Sequence, residues 1–318
     1  MTNFDVFNGD ADGICALHQM RLANPIESTL ITGIKRDISL LKNVQAAAGD
    51  QVLVLDISLD KNRSDLERLL SQNTHVQYFD HHFAGEIPIN KNLVATINTD
   101  ANTCTSLLVN NHLKQQFLPW AVTAAFGDNL HQSAHTAAMP LNLTKEQLNQ
   151  LEQLGTCINY NGYGSNLDDL IFTPDALYKI ISNYENPFDF ISSDNAFVAL
   201  LNGYNEDISN IQTCKPDYET SSHSVTLLPN EKWARRVSGV YANKLATEHH
   251  SRAHAMLTLQ ADNSYVVSVR APLSNKTGAD ELCRQFETGG GRKAAAGINR
   301  LAVEDYDKFI EKFTQAFV

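Results

Sequence analysis

Residues 76–86 read VQYFDHHFAGE, an apolar run that ends on one acid and two adjacent histidines. The first four residues have the length and the aromatic and β-branched side chains of a buried strand. Asp80, His81 and His82 then stand at the end of that strand. The triplet alone fits either a polar turn or a metal site, so the two interpretations have to be distinguished by the rest of the chain.

Two earlier apolar runs also stop on acidic residues. NFDVF, residues 3–7, leads to Asp10, and QVLVL, residues 51–55, leads to Asp56. Strands that alternate with helices predict an α/β fold with a mostly parallel sheet, which binds ligands at the carboxyl ends of its strands. The acids are therefore predicted to meet at one edge of the sheet. We expect the remaining elements to be helices over 14–23, 38–48 and 60–72 and a strand over 28–34.

The remainder of the chain has a different order of elements. Residues 103–200 read mainly as helices, and residues 203–230 are polar, with two prolines and little periodicity. After them come a helix, two strands, a helix, a glycine run, a short strand and a final helix. We predict an amino-terminal domain over 1–202, a linker over 203–230 and a smaller α+β domain over 231–318.

Composition and charge narrow the classes of function for this chain of 318 residues. Five scattered cysteines without a C-x-x-C pair are typical of reduced thiols, so we expect a cytoplasmic protein. The sequence shows no secretory signal and no apolar run long enough to span a membrane. A formal net charge of -11 disfavours long duplex nucleic acid as a partner, whereas a small anion can still bind where cations are concentrated.

Further acids accompany the strand ends. Asp10 and Asp12 lie two residues apart in NGDADG, residues 8–13, where the glycines permit close approach of the backbone. The alternative for this segment is an ordinary turn rich in Asp and Gly. Asp128 follows a strongly apolar helix, at a position where an acid opposes the helix dipole. That unfavourable placement suggests a reason for its presence.

Taken together, these residues favour a metal site over a set of unrelated polar turns. Carboxylates crowded at one edge repel one another, and divalent cations relieve that repulsion. A mixture of imidazole and carboxylate ligands suits Mn²⁺ or a similar first-row metal. Two such ions can polarise a phosphoryl oxygen and generate a hydroxide nucleophile.

A second candidate site lies in the carboxyl-terminal domain, where a glycine run precedes two cations: Gly289, Gly290, Gly291, Arg292 and Lys293. Backbone N–H groups of a glycine run can form an anion-binding nest, and the cations add charge. Arg270, at the end of the predicted strand SYVVSVRA, is a further candidate. The alternative is a flexible loop with solvated cations.

These motifs resemble those of a known family. NGDADG, VLVLD, FDHH and FGD follow the order and rough spacing of the DHH phosphoesterases, and GGGRKAAAG (289–297) is similar to the signature GGGHxxAAG of their DHH-associated domain. The resemblance covers nearly the whole chain. The family includes oligoribonucleases, also called nano-RNases, as well as cyclic-dinucleotide phosphodiesterases, single-strand exonucleases and pyrophosphatases.

The resemblance implies roles for individual residues. It implies five metal ligands: Asp10 for the first ion, Asp12, His81 and Asp128 for the second, and Asp56 as a bridge between the two. It also implies that His82 faces the scissile phosphate and that Asp80 supports the histidines, since a carboxylate behind a histidine fixes its tautomer. The glycine run with Arg292, Lys293 and Arg270 would bind the end of the substrate.

Three positions depart from the family pattern. Many members have a histidine at the position of Val6, and the exonuclease branch has an aspartate at the position of Asn8. Asn8 offers only a neutral amide oxygen, for a weak metal contact or a contact through water. Arg292 replaces the histidine of the glycine motif, and its planar fork of donors suits a phosphate.

The resemblance implies a phosphoric diester hydrolase with two Mn²⁺ ions that cleaves short RNA or DNA oligonucleotides, or linear dinucleotides such as pGpG or pApA, to mononucleotides. Mg²⁺ and Co²⁺ are alternative ions, and a homodimer is an open alternative to a monomer. Other substrates remain open, namely cyclic dinucleotides or a small bisphosphate nucleotide. Val6 and Asn8 also leave open a nucleotide-binding sensor that has lost its metal site.

Overall fold

The computed structural model describes residues 1–317, and the chain divides into two compact units, residues 1–202 and residues 203–318. The first unit contains five strands: β1 (Asn3–Phe7), β2 (Thr29–Ile31), β3 (Gln51–Leu55), β4 (His75–Asp80) and β5 (Leu93–Ile97). All of them pair in parallel, in the order β2-β1-β3-β4-β5. This confirms the predicted α/β fold with a parallel sheet.

The register of the sheet aligns the ends of its central strands. Phe7 of β1 lies opposite Leu55 of β3, and Leu55 lies opposite Phe79 of β4. The residues that follow these three positions therefore emerge side by side. The strand order reverses between β1 and β3, and doubly wound sheets bind their ligands at such a point of reversal.

The first unit also carries helices on both faces of the sheet: α1 (Ala11–Ala23), α2 (Arg63–Ser71), α3 (Thr105–His112), α4 (Leu118–Gly127), α5 (His131–Ala138), α6 (Lys145–Asn161), α7 (Pro174–Ile181) and α8 (Pro187–Ser193), followed by α9 (Asn195–Gln212), which continues past residue 202. Nearly every residue of α4 is buried, as expected for a helix that is apolar all round. A Cβ on Gly127 would lie 2.4 Å from Cβ of Ala11, so glycine allows α4 to approach α1.

The prediction of a helix over 38–48 is wrong. The only helical turn of that segment is a short 3-10 turn over Leu41–Asn43. Side chains from the following segment bind its backbone instead. Asn62 accepts a hydrogen bond from Leu41 N at 3.1 Å and donates one to Ile38 O at 2.7 Å. Arg68 donates to the carbonyl oxygens of Leu41 and Val44. These tertiary bonds replace the hydrogen bonds of a helix.

The second unit is a six-stranded sheet covered by helices. Its elements are β6 (Tyr218–Glu219), β7 (His223–Leu228), α10 (Lys232–Glu248), β8 (Ala253–Leu259), β9 (Ser264–Arg270), α11 (Ala279–Cys283), β10 (Gly289–Gly291), β11 (Ala295–Ala302) and α12 (Tyr306–Ala316). The strand order is β10-β11-β9-β8-β7-β6, and within the described part of this sheet only the pair β7–β8 is parallel. Phe309 and Phe313 of α12 pack into the same core as Leu257 of β8.

The segment 203–230, predicted to be a linker, forms the end of α9, then β6 and β7. A buried ion pair explains why polar residues are helical there. Arg236 Nε lies 2.8 Å from Asp207 Oδ2, and Arg236 Nη2 lies 3.0 Å from Asp207 Oδ1, which joins α9 to α10. Within the described residues, no helix is long and apolar enough to cross a membrane.

Candidate metal centre

The carboxyl edge of the first sheet collects most of the acids and histidines singled out in the sequence. Asp12 lies in the first turn of α1, Asp56 follows β3, and Asp80 ends β4. His81 and His82 come next along the chain, and Asp128 caps the carboxyl end of α4. Two groups of three side chains have the spacing of metal ligands, since the ligand atoms within each group lie within 4.8 Å of one another. One group is Asp12, His81 and Asp128, and the other is Asp56, His81 and His82.

Asp12 is held by the amino terminus of α3. Its Oδ2 accepts a hydrogen bond from Thr105 N at 2.7 Å, and its Oδ1 accepts one from Ser106 N at 2.7 Å. The N–H groups in the first turn of a helix have no partner within the helix and carry partial positive charge, which stabilises a carboxylate. Each oxygen retains a second lone pair, so Asp12 can hold a cation without losing these bonds.

Asp56 occupies an unusual backbone position at the end of β3. Its φ is 60°, in the left-handed region that few residues other than glycine and asparagine or aspartate adopt. Asp56 N donates to Phe79 O at 3.0 Å, which keeps the turn against β4. Its Oδ1 accepts a hydrogen bond from Thr105 Oγ1 at 3.1 Å. Backbone strain of this kind is frequent at functional sites.

His81 is oriented as a ligand. Its Nδ1 lies 3.0 Å from the carbonyl oxygen of Thr103, which can only accept, so Nδ1 carries a proton and donates it. Its Nε2 lies 3.4 Å from Asp56 Oδ1, 3.8 Å from Asp128 Oδ2 and 3.9 Å from Asp12 Oδ2. Ligands bonded to one ion at about 2.1 Å lie about 3–3.5 Å apart, close to these separations.

The crowding is reflected in the protonation equilibria. Burial raises the pKa of Asp12, and the charges of Asp128 and Asp10 raise it further. Burial also raises the pKa of Asp56 well above its usual value, with added repulsion from Asp12 and Asp10. Burial lowers the pKa of His81, but its bond to Asp56 and the surrounding carboxylates raise it to about 10. The centre thus favours added positive charge.

The donor set fits a divalent metal ion. Oδ2 of Asp128 is buried without a hydrogen-bond partner in the described part of the chain, an arrangement expected of an atom that binds a cation. Three carboxylates and one imidazole form a mixed oxygen and nitrogen set, which suits Mn²⁺ and neighbouring first-row ions. The side chains that could hold the ion are His81 and the three carboxylates that face its Nε2, namely Asp12, Asp56 and Asp128.

His82 and Asp80 form a separate pair beside these ligands. His82 Nδ1 lies 2.7 Å from Asp80 Oδ1, and the Asp80 carboxylate has no exposed surface. The His82 side chain is 37% exposed, whereas that of His81 is 4% exposed. The two adjacent histidines therefore differ in access to solvent, with His81 facing inward and His82 reachable from outside.

Asp10 has a different environment from the other acids. Its Oδ1 accepts hydrogen bonds from Asp12 N at 3.0 Å and Gly13 N at 3.1 Å, which caps the start of α1. Its Oδ2 binds the ammonium of Lys35. Burial raises the pKa of Asp10, but the charge of Lys35 and these hydrogen bonds lower it below its usual value. The nearby side chain of Asn8 is tied to the same loop, since its Nδ2 donates to Lys35 O at 3.2 Å.

Lys35 was not predicted as a site residue. The residue lies in the loop after β2, in the segment GIKRD, with no motif around it. Its ammonium also lies 2.8 Å from Asn159 Oδ1 and 3.8 Å from Asp128 Oδ1. Those partners stand far away along the chain, so only the folded structure shows that a cation enters this cluster.

The glycine run of the second unit forms the edge strand β10 and pairs with β11. Gly291 has a φ of 140°, and a Cβ there would lie 2.5 Å from Cα of Ala296. Arg292 and Lys293 form the exposed turn between the two strands. The predicted anion site is thus a hairpin tip with two exposed cations rather than an unstructured loop.

Arg270 ends β9 beside this hairpin, where it pairs with Ala295 of β11, but its side chain contacts α10. Its Nη2 donates to Gly239 O at 3.3 Å, and its Nε donates to Asn243 Oδ1 at 2.5 Å. Both partners belong to α10. The guanidinium therefore binds the helix that covers the sheet.

Comparison with known proteins agrees with this architecture. The family model of the DHHA1 domain matches residues 222–318, while no curated protein matches the chain. A DHH-domain protein described as a member of a family of ribosomal proteins superposes with a TM-score of 0.63 at 11% identity, covering 99% of this chain and 86% of that one. The exonuclease RecJ bound to manganese gives 0.62 at 14% identity, with coverage of 98% and 88%.

A third solved structure is similar in length to this chain. The pGpG-specific phosphodiesterase PggH from Vibrio cholerae superposes with a TM-score of 0.56 at 14% identity, and 99% of each chain is covered. At these identities the likeness concerns the fold. Residues 222–318 form a DHHA1 domain, and the chain as a whole has the fold of the DHH phosphoesterases.

Proposed function

We propose that this protein is a metal-dependent phosphoric diester hydrolase that cleaves very short oligonucleotides or linear dinucleotides to mononucleotides. The observation that carries the proposal is the position of His81 Nε2, which faces Asp56, Asp128 and Asp12 at 3.4–3.9 Å. A buried set of three carboxylates around one imidazole costs free energy unless a cation joins it.

Asp12, Asp56, His81 and Asp128 would hold the metal. When bound, a divalent ion would supply the Lewis acidity and the activated water that phosphodiester hydrolysis requires. The donor set and the presence of manganese in the RecJ structure support Mn²⁺ as the ion that would bind here. The chain's own contribution is rigidity, since the α3 amides fix Asp12 and Thr103 O fixes the ring of His81.

His82 would contact the reacting phosphate. Because its Nδ1 is bound to Asp80, its Nε2 is the nitrogen through which it reaches a substrate oxygen. The buried carboxylate of Asp80 holds the ring in place, so that Nε2 of His82 would contact the phosphoryl group or the leaving oxygen.

Short substrates are supported by two observations. A formal net charge of -11 opposes a long polyanion, because long nucleic acids bind proteins mainly through clustered cations. PggH, a phosphodiesterase specific for pGpG, shares the fold over 99% of each chain. In the second unit, Arg292 and Lys293 offer exposed cations for a terminal phosphate of such a substrate.

The test is hydrolysis of linear pGpG by the metal-free protein after addition of Mn²⁺, followed by chromatography of the products. We expect conversion to GMP, with slower or absent turnover of a long single strand. Cyclic di-GMP and a 3′,5′-bisphosphate nucleotide serve as parallel substrates, and Asp56→Asn serves as the inactive control. Intact pGpG in the presence of bound Mn²⁺ would overturn the proposal.

A further inference from the structure

A lysine ammonium lies inside the cluster of acids at the carboxyl edge of the first sheet. Lys35 Nζ binds Asp10, lies 2.8 Å from Asn159 Oδ1 and lies 3.8 Å from Asp128 Oδ1. The ring of Tyr163 lies 5.6 Å away, centroid to Nζ, at a distance where an aromatic face attracts a cation. The side chain is 23% exposed, so most of it is withdrawn from water.

The backbone around Lys35 is fixed in position. Lys35 N donates to Gly162 O at 2.8 Å, and Lys35 O accepts from Asn8 Nδ2 at 3.2 Å. Gly33 O passes so close to Gly9 that a Cβ on Gly9 would lie 1.9 Å from it. Gly9 of the NGDADG segment therefore makes room for the loop that carries Lys35. Lys35 is part of a built site rather than a mobile surface side chain.

Asp10 has both oxygens engaged by partners from its own chain. Oδ1 caps α1 through Asp12 N and Gly13 N, and Oδ2 binds Lys35. Among residues 1–317, neither group of ligand atoms with metal-binding spacing includes Asp10. Both groups contain His81, and because its Nδ1 is bound to Thr103 O, they share its Nε2 and fit one ion there. At Asp10 an ammonium stands where an ion would bind.

Charge argues in the same direction. A divalent ion between Asp10 and Asp128 would lie a few ångströms from a buried ammonium, where repulsion is weakly screened. The ammonium itself neutralises one carboxylate, as a metal would, but it leaves no coordination position for water or phosphate. Lys35 therefore supplies charge at this place without supplying metal chemistry.

We propose that Lys35 replaces one of the two metal ions expected from the family resemblance, so that this centre binds a single divalent ion at Asp12, Asp56, His81 and Asp128. Lys35 acts as a positioning residue that holds Asp10 against the start of α1. The inference rests on the proposed metal centre, but it concerns the number of ions rather than the substrate.

Metal counting tests the inference without any turnover assay. The full chain is freed of metal with a chelator and dialysed against excess Mn²⁺, and bound manganese per chain is measured by mass spectrometry. We expect one ion per wild-type chain, with the electron paramagnetic resonance pattern of an isolated Mn²⁺. Lys35→Met keeps the side chain's length without its charge, and it should raise the count to two, with signals of a spin-coupled pair.

Two further variants complete the design. Asp10→Asn keeps a good helix cap and should leave the wild-type count at one, because Asp10 binds Lys35 rather than the ion. Lys179→Met removes an exposed lysine of the same unit, whose side chain is 65% exposed, and should change nothing. Circular dichroism identifies a variant that fails to fold, and the wild-type count stands independently of every variant.

The possible manganese counts distinguish the role of Lys35 from the existence of the metal centre. Two coupled ions in the wild-type chain would overturn the role of Lys35 and leave the metal centre standing. A count of one that stays at one in folded Lys35→Met would also overturn that role. No bound manganese in the wild-type chain would overturn the metal centre itself.

Discussion

The buried carboxylate of Asp80 lies 2.7 Å from Nδ1 of His82, a histidine whose side chain is 37% exposed. Since Asp80 has no exposed surface, its negative charge acts on His82 with little screening by water. The pair fixes which nitrogen of His82 faces outward. It also restrains the ring, so that Nε2 is the atom left to contact a phosphate.

Asp80→Asn keeps the shape of the side chain and removes its charge. We expect kcat for pGpG to fall by about 10–100-fold, the range found when the carboxylate behind a functional histidine is changed. Bound manganese should stay at the wild-type level, because Asp80 is not a ligand. The exposed Asp100→Asn provides the matched control. Unchanged kcat in Asp80→Asn would show that the pair has no part in turnover.

The arrangement of the first sheet was predictable from local patterns. Short apolar runs that stop on Asp56 and Asp80 specify strands with polar carboxyl ends, and a parallel sheet necessarily brings such ends together. The contacts of Lys35 were not predictable. Its partners Asp10 and Asn159 are separated from it by 25 and 124 residues, and neither separation follows from periodicity. The sequence therefore predicted which side chains gather where the backbone dictates position, and it missed a side chain placed by long-range folding.

The segment 38–48 shows the same limit in secondary structure. Its apolar spacing favours a helix, yet Asn62 and Arg68 bind its backbone groups from outside. Tertiary hydrogen bonds of this kind override a weak local preference. The sequence contains both side chains, but nothing in it shows that they turn toward this segment.

Asp56→Asn tests the central ligand. Asparagine tolerates the left-handed backbone that Asp56 adopts at φ 60°, so the variant should fold. We expect a loss of activity greater than about 100-fold, since a direct ligand should matter more than the groups that support it. Mn²⁺ at 100 times its Kd would stabilise the wild-type chain by about 2.7 kcal/mol. That stabilisation should shrink markedly in the variant.

Thermal unfolding with and without Mn²⁺ gives the readout, independent of turnover. In metal-free protein, the variant should be at least as stable as the wild type, because the amide removes repulsion between Asp56, Asp12 and Asp10. A variant that retains the full shift in Tm with Mn²⁺ would remove Asp56 from the ligand set.

Arg292→Ala tests substrate capture by the second unit. The side chain is exposed at the turn between β10 and β11, and the Arg292 backbone bond to Ala295 O remains in the variant. A charged hydrogen bond to phosphate contributes about 1.5–3 kcal/mol, so we expect KM to rise by about 10–100-fold with kcat nearly unchanged. Arg300→Ala, another exposed arginine of this unit, is the control. A fall in kcat at constant KM would contradict a binding role.

A buried histidine outside the metal centre makes stability depend on pH. His18 is 1% exposed, its Nε2 lies 2.8 Å from Tyr184 O, and its ring meets the edge of Trp120 at 4.7 Å. Burial lowers the pKa of His18 to about 4, although the bond to Tyr184 opposes that shift. The imidazole is therefore neutral in the folded protein at pH 7 and donates its Nε2 proton to the carbonyl oxygen.

The sign of the effect follows from which state takes up the proton first. The unfolded chain protonates His18 near pH 6.5, whereas the folded chain resists until about pH 4, so stability is complete above pH 6.5 and is lost as pH falls. Between pH 7 and pH 5 the loss of stability from this residue is about 2 kcal/mol.

His18→Gln, which keeps a donor but binds no proton, should lack that part of the loss of stability. Urea unfolding at pH 7 and pH 5, followed by Trp120 fluorescence in a Trp233→Phe background, measures the change in the free energy of unfolding. The exposed His75→Gln is the control. An equal pH dependence in wild type and His18→Gln would show that folding does not lower the pKa of His18.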